Sequence, residues 1–293
     1  MDRPPSKLKA ALWMAGFLSL MLLMAISGRE AARELNIFQI MELRSGLGVL
    51  MLCPAIYFAG GFGMLRTSRL PMHATRAFLH YAGQYGWFLA LTMIPLGQVV
   101  SIEFTMPIWT AILAAGFLGE RITIWKAAAI ALGLVGVFVI VRPSAGEVNV
   151  GQLIVLAAAA VLGVTVVMMK SLTRTEPALA IVFWMMAIQV LAGALPTLHV
   201  WVWPSPYVWA CAIAVAVSGT FSHFCMARAM LYADATIVLP MDFLRVPLTA
   251  AAGWLIYAER MDAFTVLGAL LILTGNLLNL KPPTARTALV PPI

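Results

Sequence analysis

The sequence predicts an all-α membrane protein in which ten transmembrane helices form two inverted five-helix repeats around a central cavity. Three observations carry this expectation. The chain holds more apolar residues than a soluble core can use, it divides into ten apolar runs of membrane-crossing length, and it matches itself at a spacing of 139 residues.

Of the 293 residues, 62% are hydrophobic and only 11% are charged. Soluble globular chains run at roughly 45–50% apolar and about 25% charged, so the excess here must face lipid. The net charge of +7 raises the question of nucleic acid. The basic residues sit in short gaps between apolar runs, with no basic stripe interleaved with aromatic residues, and nucleic acid is not an expected partner. Cys53, Cys211 and Cys225 each lie inside an apolar run without metal-ligand spacing and read as small buried hydrophobes. No metal, cofactor or nucleotide-binding loop is expected, and no nucleophile, base and orienting group can be assembled into an enzyme site.

A helix crossing about 30 Å of hydrocarbon needs about 20 apolar residues. The runs that qualify are 10–26, 37–61, 75–94, 97–118, 123–141, 151–169, 178–198, 207–231, 235–257 and 263–280. They are continuous, not alternating, so they predict helices and not a transmembrane barrel. The first follows Arg3, Lys7 and Lys9 and ends near Ala25-Ile26-Ser27-Gly28, which imitates a cleavable signal. It is retained as a span because nine more follow and the repeat requires it. With the N-terminus inside, thirteen lysines and arginines fall on the inner segments against four (Arg29, Arg33, Arg142 and Arg260) on the outer ones. The bias predicts a multi-pass protein of a bacterial-type inner membrane with both termini cytoplasmic.

Shifting the sequence by 139 positions lays Ala90–Pro143 on Ala229–Pro282 without a gap, with 11 of 54 positions identical. Glu120-Arg121 falls on Glu259-Arg260, Phe104 on Phe243, Gly136 on Gly275 and Pro143 on Pro282. Five helices is an odd number, so the second copy enters the membrane from the opposite side. The expected units are residues 1–143, helices 1 to 5, and 144–293, helices 6 to 10 with a short cytoplasmic tail. Inverted repeats of this kind recur in secondary transporters, where each half can take the other's conformation and substrate binds near the midplane.

Two segments carry a resemblance. Met106-Pro107-Ile108-Trp109 through Phe117-Leu118-Gly119-Glu120-Arg121 resembles the fourth helix of EamA-type proteins of the drug/metabolite transporter superfamily. Leu239-Pro240-Met241-Asp242-Phe243-Leu244-Arg245-Val246-Pro247 through Tyr257-Ala258-Glu259-Arg260 resembles the ninth. Ala258 departs from the glycine often found before the glutamate. The resemblance implies a ten-helix basket lined mainly by helices 1, 3, 4, 6, 8 and 9, with helices 5 and 10 peripheral. It implies transport of small organic metabolites, with export of amino acids or similar amphipathic compounds as the leading expectation. Import of a vitamin- or nucleoside-like solute, of riboflavin or S-adenosylmethionine type, is the competing one, and a non-transporting membrane sensor or scaffold is the reading from another class. The partners expected are a small-molecule substrate and the lipid bilayer; a monomer suffices for the mechanism, and homo-oligomerisation is left open.

Polar groups within spans are expensive and mark candidate sites. In helix 3, His80, Gln84, Trp87 and Leu91 recur on one helical face, with Tyr81 and Tyr85 on the adjoining strip. The shift maps Gln84 onto His223 and Tyr81 onto Thr220 in helix 8, so two equivalent helices carry polar groups at the same depth. Glu103 and Asp242 are also repeat-equivalent. Arg245 follows Asp242 at i+3, where it can pair with Asp242 or bind a zwitterionic or anionic solute. Glu103 has no partner on its own helix and is the candidate for proton coupling. Pro107, Pro240 and Pro247 interrupt helices 4 and 9 and are the candidate hinges. Glu42 and Arg44 in helix 2 read as structural, with Arg44 snorkelling outward. Gly133, Gly136, Gly268 and Gly275 allow close helix packing, and Glu259 reads as a helix-end cap or pair.

Overall fold

The computed structural model describes residues 6–118, 124–141, 149–230, 232–233 and 235–280. Among them the chain is helical and contains no strand. The helices are α1 (Lys7–Ala31), α2 (Ile37–Phe58), α3 (Leu70–Met93), α4 (Leu96–Glu103), α5 (Met106–Leu118), α6 (Ile124–Val141), α7 (Val150–Leu172), α8 (Ala178–Val200), α9 (Pro206–Met230), α10 (Ala235–Asp242), α11 (Arg245–Tyr257) and α12 (Ala263–Asn279), with a short 3-10 turn at Phe62–Leu65. The ten expected runs map onto these twelve helices because runs four and nine are each broken in two.

Seven of the described helical stretches are long and apolar enough to cross a membrane by composition alone. The shortfall from ten has physical causes. Helix α3 is long enough but carries His73, Arg76, His80 and Gln84, which lower its hydropathy. The ninth run, α10 and α11, is not among the seven, and α12 is short. The first span is longer than expected, reaching Ala31, because Ser27, Arg29 and Glu30 are helical and largely buried by neighbours. The second ends three residues early. Gly60 and Gly61 adopt φ values of 136° and 81°, where other residues are strained, and the chain turns there.

Helix starts are set by local chemistry. Asn36 accepts a hydrogen bond from the Phe38 N–H at 3.0 Å, Asn149 from Gly151 at 2.8 Å and Asp262 from Thr265 at 2.9 Å. Each satisfies an N–H that the first turn leaves without an intrahelical partner.

Packing runs in a closed circuit: α1 lies on α9, α9 on α2, α2 on α8, α8 on α3, α3 on α7, α7 on α4 and α5, α4 on α11, and α11 on α1. Helices α2 and α8, absent from the expected lining set, complete the ring between α9 and α3. Outside it, α6 and α12 pair with each other and touch α5 and α4. Their contact is made by glycines: a Cβ at Gly136 would stand 2.7 Å from the Gly268 carbonyl oxygen, and one at Gly275 would stand 2.8 Å from that of Ala129. The contacts obey an inverted twofold. The α1–α9 contact has its mate in α7–α3, α2–α9 in α8–α3, and α5–α7 in α11–α1, while α2–α8 and α6–α12 each join a helix to its own counterpart.

The symmetry is not complete, and one departure concerns the split helices. Helix α4 packs against α11, but its mate pair, α5 and α10, has no comparable packing among the described residues. Successive crossings put α4 and α11 at the face opposite Ser6, the distal face, and α5 and α10 at the proximal face. The broken spans of the two repeats therefore meet distally. Glycines again permit the approach: Gly28 of α1 seats the Phe88 ring and Leu91 of α3, and Gly97 of α4 abuts Ala250 of α11 and Met261.

Candidate substrate site

The breaks in runs four and nine fall at repeat-equivalent positions, Phe104-Thr105 and Phe243-Leu244. Prolines explain them. Pro107 and Pro247 have no N–H to donate and occupy the first turns of α5 and α11, where none is needed. The expected hinges at these two residues are thus the starts of new helices, while Pro240 lies inside α10. A carbonyl freed by the first break is taken by a neighbour: Asn276 of α12 donates its amide N–H to the Phe104 oxygen at 2.8 Å. This is how irregular backbone is tolerated at membrane depth.

The last residue before each break is acidic, and one arginine joins them. Arg245 donates from Nη1 to Glu103 Oε1 at 2.9 Å, and its Nε and Nη2 lie 3.2 and 3.4 Å from the Asp242 carboxylate. Trp87 of α3 donates its indole N–H to the other Glu103 oxygen at 2.8 Å. The Arg245 guanidinium sits 4.7 Å from the centre of the Phe104 ring, which meets Phe243 edge-on at 5.4 Å. Arg245 pairs with Asp242 as the i+3 spacing allows, but it also reaches across the repeats to Glu103, so Glu103 has a charged partner on another helix. Two carboxylates and one guanidinium thus meet between the two repeats.

The other expected residues divide into a second group and a remainder. His80 Nδ1 lies 3.0 Å from the Gln189 amide of α8, and Gln189 in turn accepts from Ser45 of α2 at 3.3 Å. Tyr85 packs on Phe38 with ring centres 4.7 Å apart, and Tyr81 stacks on the same phenyl ring at 6.5 Å. The Tyr81 hydroxyl and Gln84 Oε1 are buried with no hydrogen-bond partner among the described residues. Thr220 donates to the Ala216 carbonyl of its own helix at 2.9 Å. The His223 side chain lies outside the described residues.

Arg44 does not snorkel. It is 3% exposed and lies against Gly219 of α9, whose missing side chain makes the room. Glu42 points to α8 instead. Gln189 and Asn276, outside the expected set, make polar contacts between helices. The available signal was their polarity inside long apolar runs.

At the distal face Glu259 joins α1 and α4. One of its oxygens pairs with Arg29 of α1, and the other accepts from the Leu96 N–H at the start of α4 at 2.9 Å. The Arg29 guanidinium also lies 4.4 Å from the centre of the Tyr257 ring. Ala258, just before, adopts φ 54°, which accounts for the glycine common at that position in the family it resembles. At the proximal face, outside the spans, Glu176 accepts from Thr67 and lies 2.5 Å from His73 Nε2. Burial pushes its carboxyl pKa up, but these hydrogen bonds and the charges of His73 and Arg69 outweigh burial and leave it below the ordinary value.

Comparison with known proteins agrees with this architecture. The chain is 25% identical over 252 residues to an S-adenosylmethionine uptake transporter of Rickettsia prowazekii, covering 86% of this chain and 85% of that one. It is 29% identical over 248 residues to a riboflavin transporter of Brucella anthropi, covering 82% and 87%. It is 27% identical over 252 residues to a pseudopaline exporter of Pseudomonas aeruginosa, covering 84% and 87%. A crystal structure 18% identical to it superposes with a TM-score of 0.63 over 94% of this chain and 97% of the other, and so has the same fold. The EamA-like transporter family matches twice, over residues 8–142 and 149–281. A duplicated chain of membrane-crossing helices, broken at equivalent points around a central ion triad, thus belongs to the EamA-like transporter family and is a multi-pass membrane transporter, not an enzyme.

Proposed function

We infer that the protein is a secondary carrier that moves small amphipathic organic metabolites by alternating access, with its substrate held between α2, α3, α8 and α9 beside the Glu103–Arg245–Asp242 triad. The observation that carries this reading is the unequal treatment of two symmetry-equivalent contacts: α4 packs on α11 while α5 and α10 have no comparable packing among the described residues. Exchanging the two arrangements converts one open face into the other. With both termini cytoplasmic, as the charge bias predicts, this conformation is closed outward and open inward, and Glu259 with Arg29 forms the outer latch.

Within this reading the cargo is an amino acid or similar compound moved outward, with Glu103 exchanging a proton as its contact with Arg245 is made and broken. The S-adenosylmethionine uptake named for the Rickettsia relative favours a second reading, inward movement of a larger solute of the same chemistry. The test is counterflow in proteoliposomes against amino acids, flavins and nucleosides, followed by uptake with and without an imposed pH gradient. Exchange of at least one class is expected, with the sign of the gradient effect giving the direction. A Glu103→Gln protein that still exchanges but keeps the full gradient response would remove Glu103 from proton coupling. A well-folded protein that exchanges nothing would overturn the carrier reading.

A further inference from the structure

Span 2 carries two opposite charges that the central triad does not use. Glu42 and Arg44 stand two residues apart on α2, so their side chains leave the helix in different directions. Arg44 is 3% exposed, and its Nε and Nη1 have no hydrogen-bond partner among the described residues. Its guanidinium lies over α9, with Nε 2.9 Å and the central carbon 3.5 Å from the point where a Cβ would stand at Gly219. Glu42 turns to α8. Its Oε2 lies 2.5 Å from the Cβ position of Gly193, and the Tyr81 hydroxyl lies 3.0 Å from the same point. Both oxygens are buried without a hydrogen-bond partner among the described residues, as is Oε1 of Gln84, one turn along α3 from Tyr81.

A charge held inside hydrocarbon without a counter-group is costly, and a site that keeps two of opposite sign is complementary to a visitor that brings both. The planar guanidinium matches a carboxylate. A carboxylate, a phenol oxygen and an amide oxygen offer acceptors for the three N–H donors of a primary ammonium. We propose that Glu42 and Arg44 form a divided site on α2 that takes the zwitterionic head of an amino-acid-type solute, its carboxylate on Arg44 and its ammonium against Glu42, Tyr81 and Gln84. The glycines at 193 and 219 leave the room that the Glu42 and Arg44 side chains occupy. A zwitterion enters without adding net charge, so the occupied site can be carried through an occluded state. This assignment rests on the carrier reading and narrows it to one class of cargo.

The test uses full-length protein in proteoliposomes and two pools of labelled solutes. One pool holds the twenty protein amino acids and S-adenosylmethionine; the other holds riboflavin and the common nucleosides. Counterflow of a member of the first pool is expected. Glu42→Gln and Arg44→Gln should each slow it at least tenfold, and Arg44→Lys should recover part of the rate. In Arg44→Gln the competition of the exchanged amino acid and its methyl ester should become equal. Size-exclusion profiles matching wild type keep a folding defect apart from a loss of recognition. Exchange of the second pool alone overturns the zwitterion site and leaves the carrier standing. First-pool exchange at unchanged rates in both Gln variants overturns the residue assignment. Exchange of neither pool overturns the carrier reading and this inference with it.

Discussion

Replacing Arg245 with methionine tests the central triad most directly. The arginine side chain is 7% exposed and its partners Glu103 and Asp242 are 12% and 15% exposed. Arg245→Met fills similar volume but strands two carboxylates in a site that held three charges. Removing one partner of a buried pair costs about 3–5 kcal/mol, chiefly through the charge left uncompensated. Glu103→Gln should cost less, about 1–2 kcal/mol, because Gln still accepts from Trp87 and Asp242 keeps its arginine. The double variant leaves one stranded carboxylate instead of two, so its cost should fall below the sum of the singles by about 1 kcal/mol or more. Titrating the purified protein with SDS in mixed micelles, followed by tryptophan fluorescence, measures all three. An Arg245→Met protein within about 1 kcal/mol of wild type, or strictly additive singles, would refute the claim that this arginine ties the repeats together through both carboxylates.

Three further outcomes follow from the packing. Gly136→Ala places a methyl 2.7 Å from the Gly268 carbonyl oxygen; it should destabilise the α6–α12 pair by about 1–3 kcal/mol, seen as a lower thermal midpoint in detergent, whereas Gly46→Ala, with open space around it, should not. Ala258→Gly should raise that midpoint by relieving a positive φ, a gain of about 1 kcal/mol; no gain would mean that Ala258 is unstrained. Glu176 has a lowered pKa in the folded protein, so its contribution to stability is fully present above the ordinary value of 4.5 and is lost as pH falls below that value through the folded one. Thermal midpoints compared between pH 7 and pH 3 should therefore drop more in wild type than in Glu176→Gln, and equal drops would contradict the assignment.

Much of the architecture is legible in the sequence because lipid imposes it. Every span must be a helix of sufficient length, so hydropathy alone locates the ten runs, and the repeat at 139 residues dictates their inverted arrangement. The pairing of Asp242 with Arg245 follows from an i+3 spacing that survives the break between α10 and α11, and the glycines of α6 and α12 announce close packing. Other features depend on partners distant in sequence. Glu103 has no i+3 or i+4 partner and meets Arg245 142 residues away; Arg44 fits only because Gly219 leaves a gap on another helix. Sequence spacing by itself could not show that runs four and nine break fully at Phe104 and Phe243, since a proline inside a run is consistent with a kink as well as a break. Only the tertiary structure supplied Asn276 as the acceptor-filling neighbour and brought α4 onto α11. Which of two equivalent pairs of split helices packs lies in the tertiary packing and not in the repeat, because an inverted duplication makes the two pairs alternatives of nearly equal local chemistry.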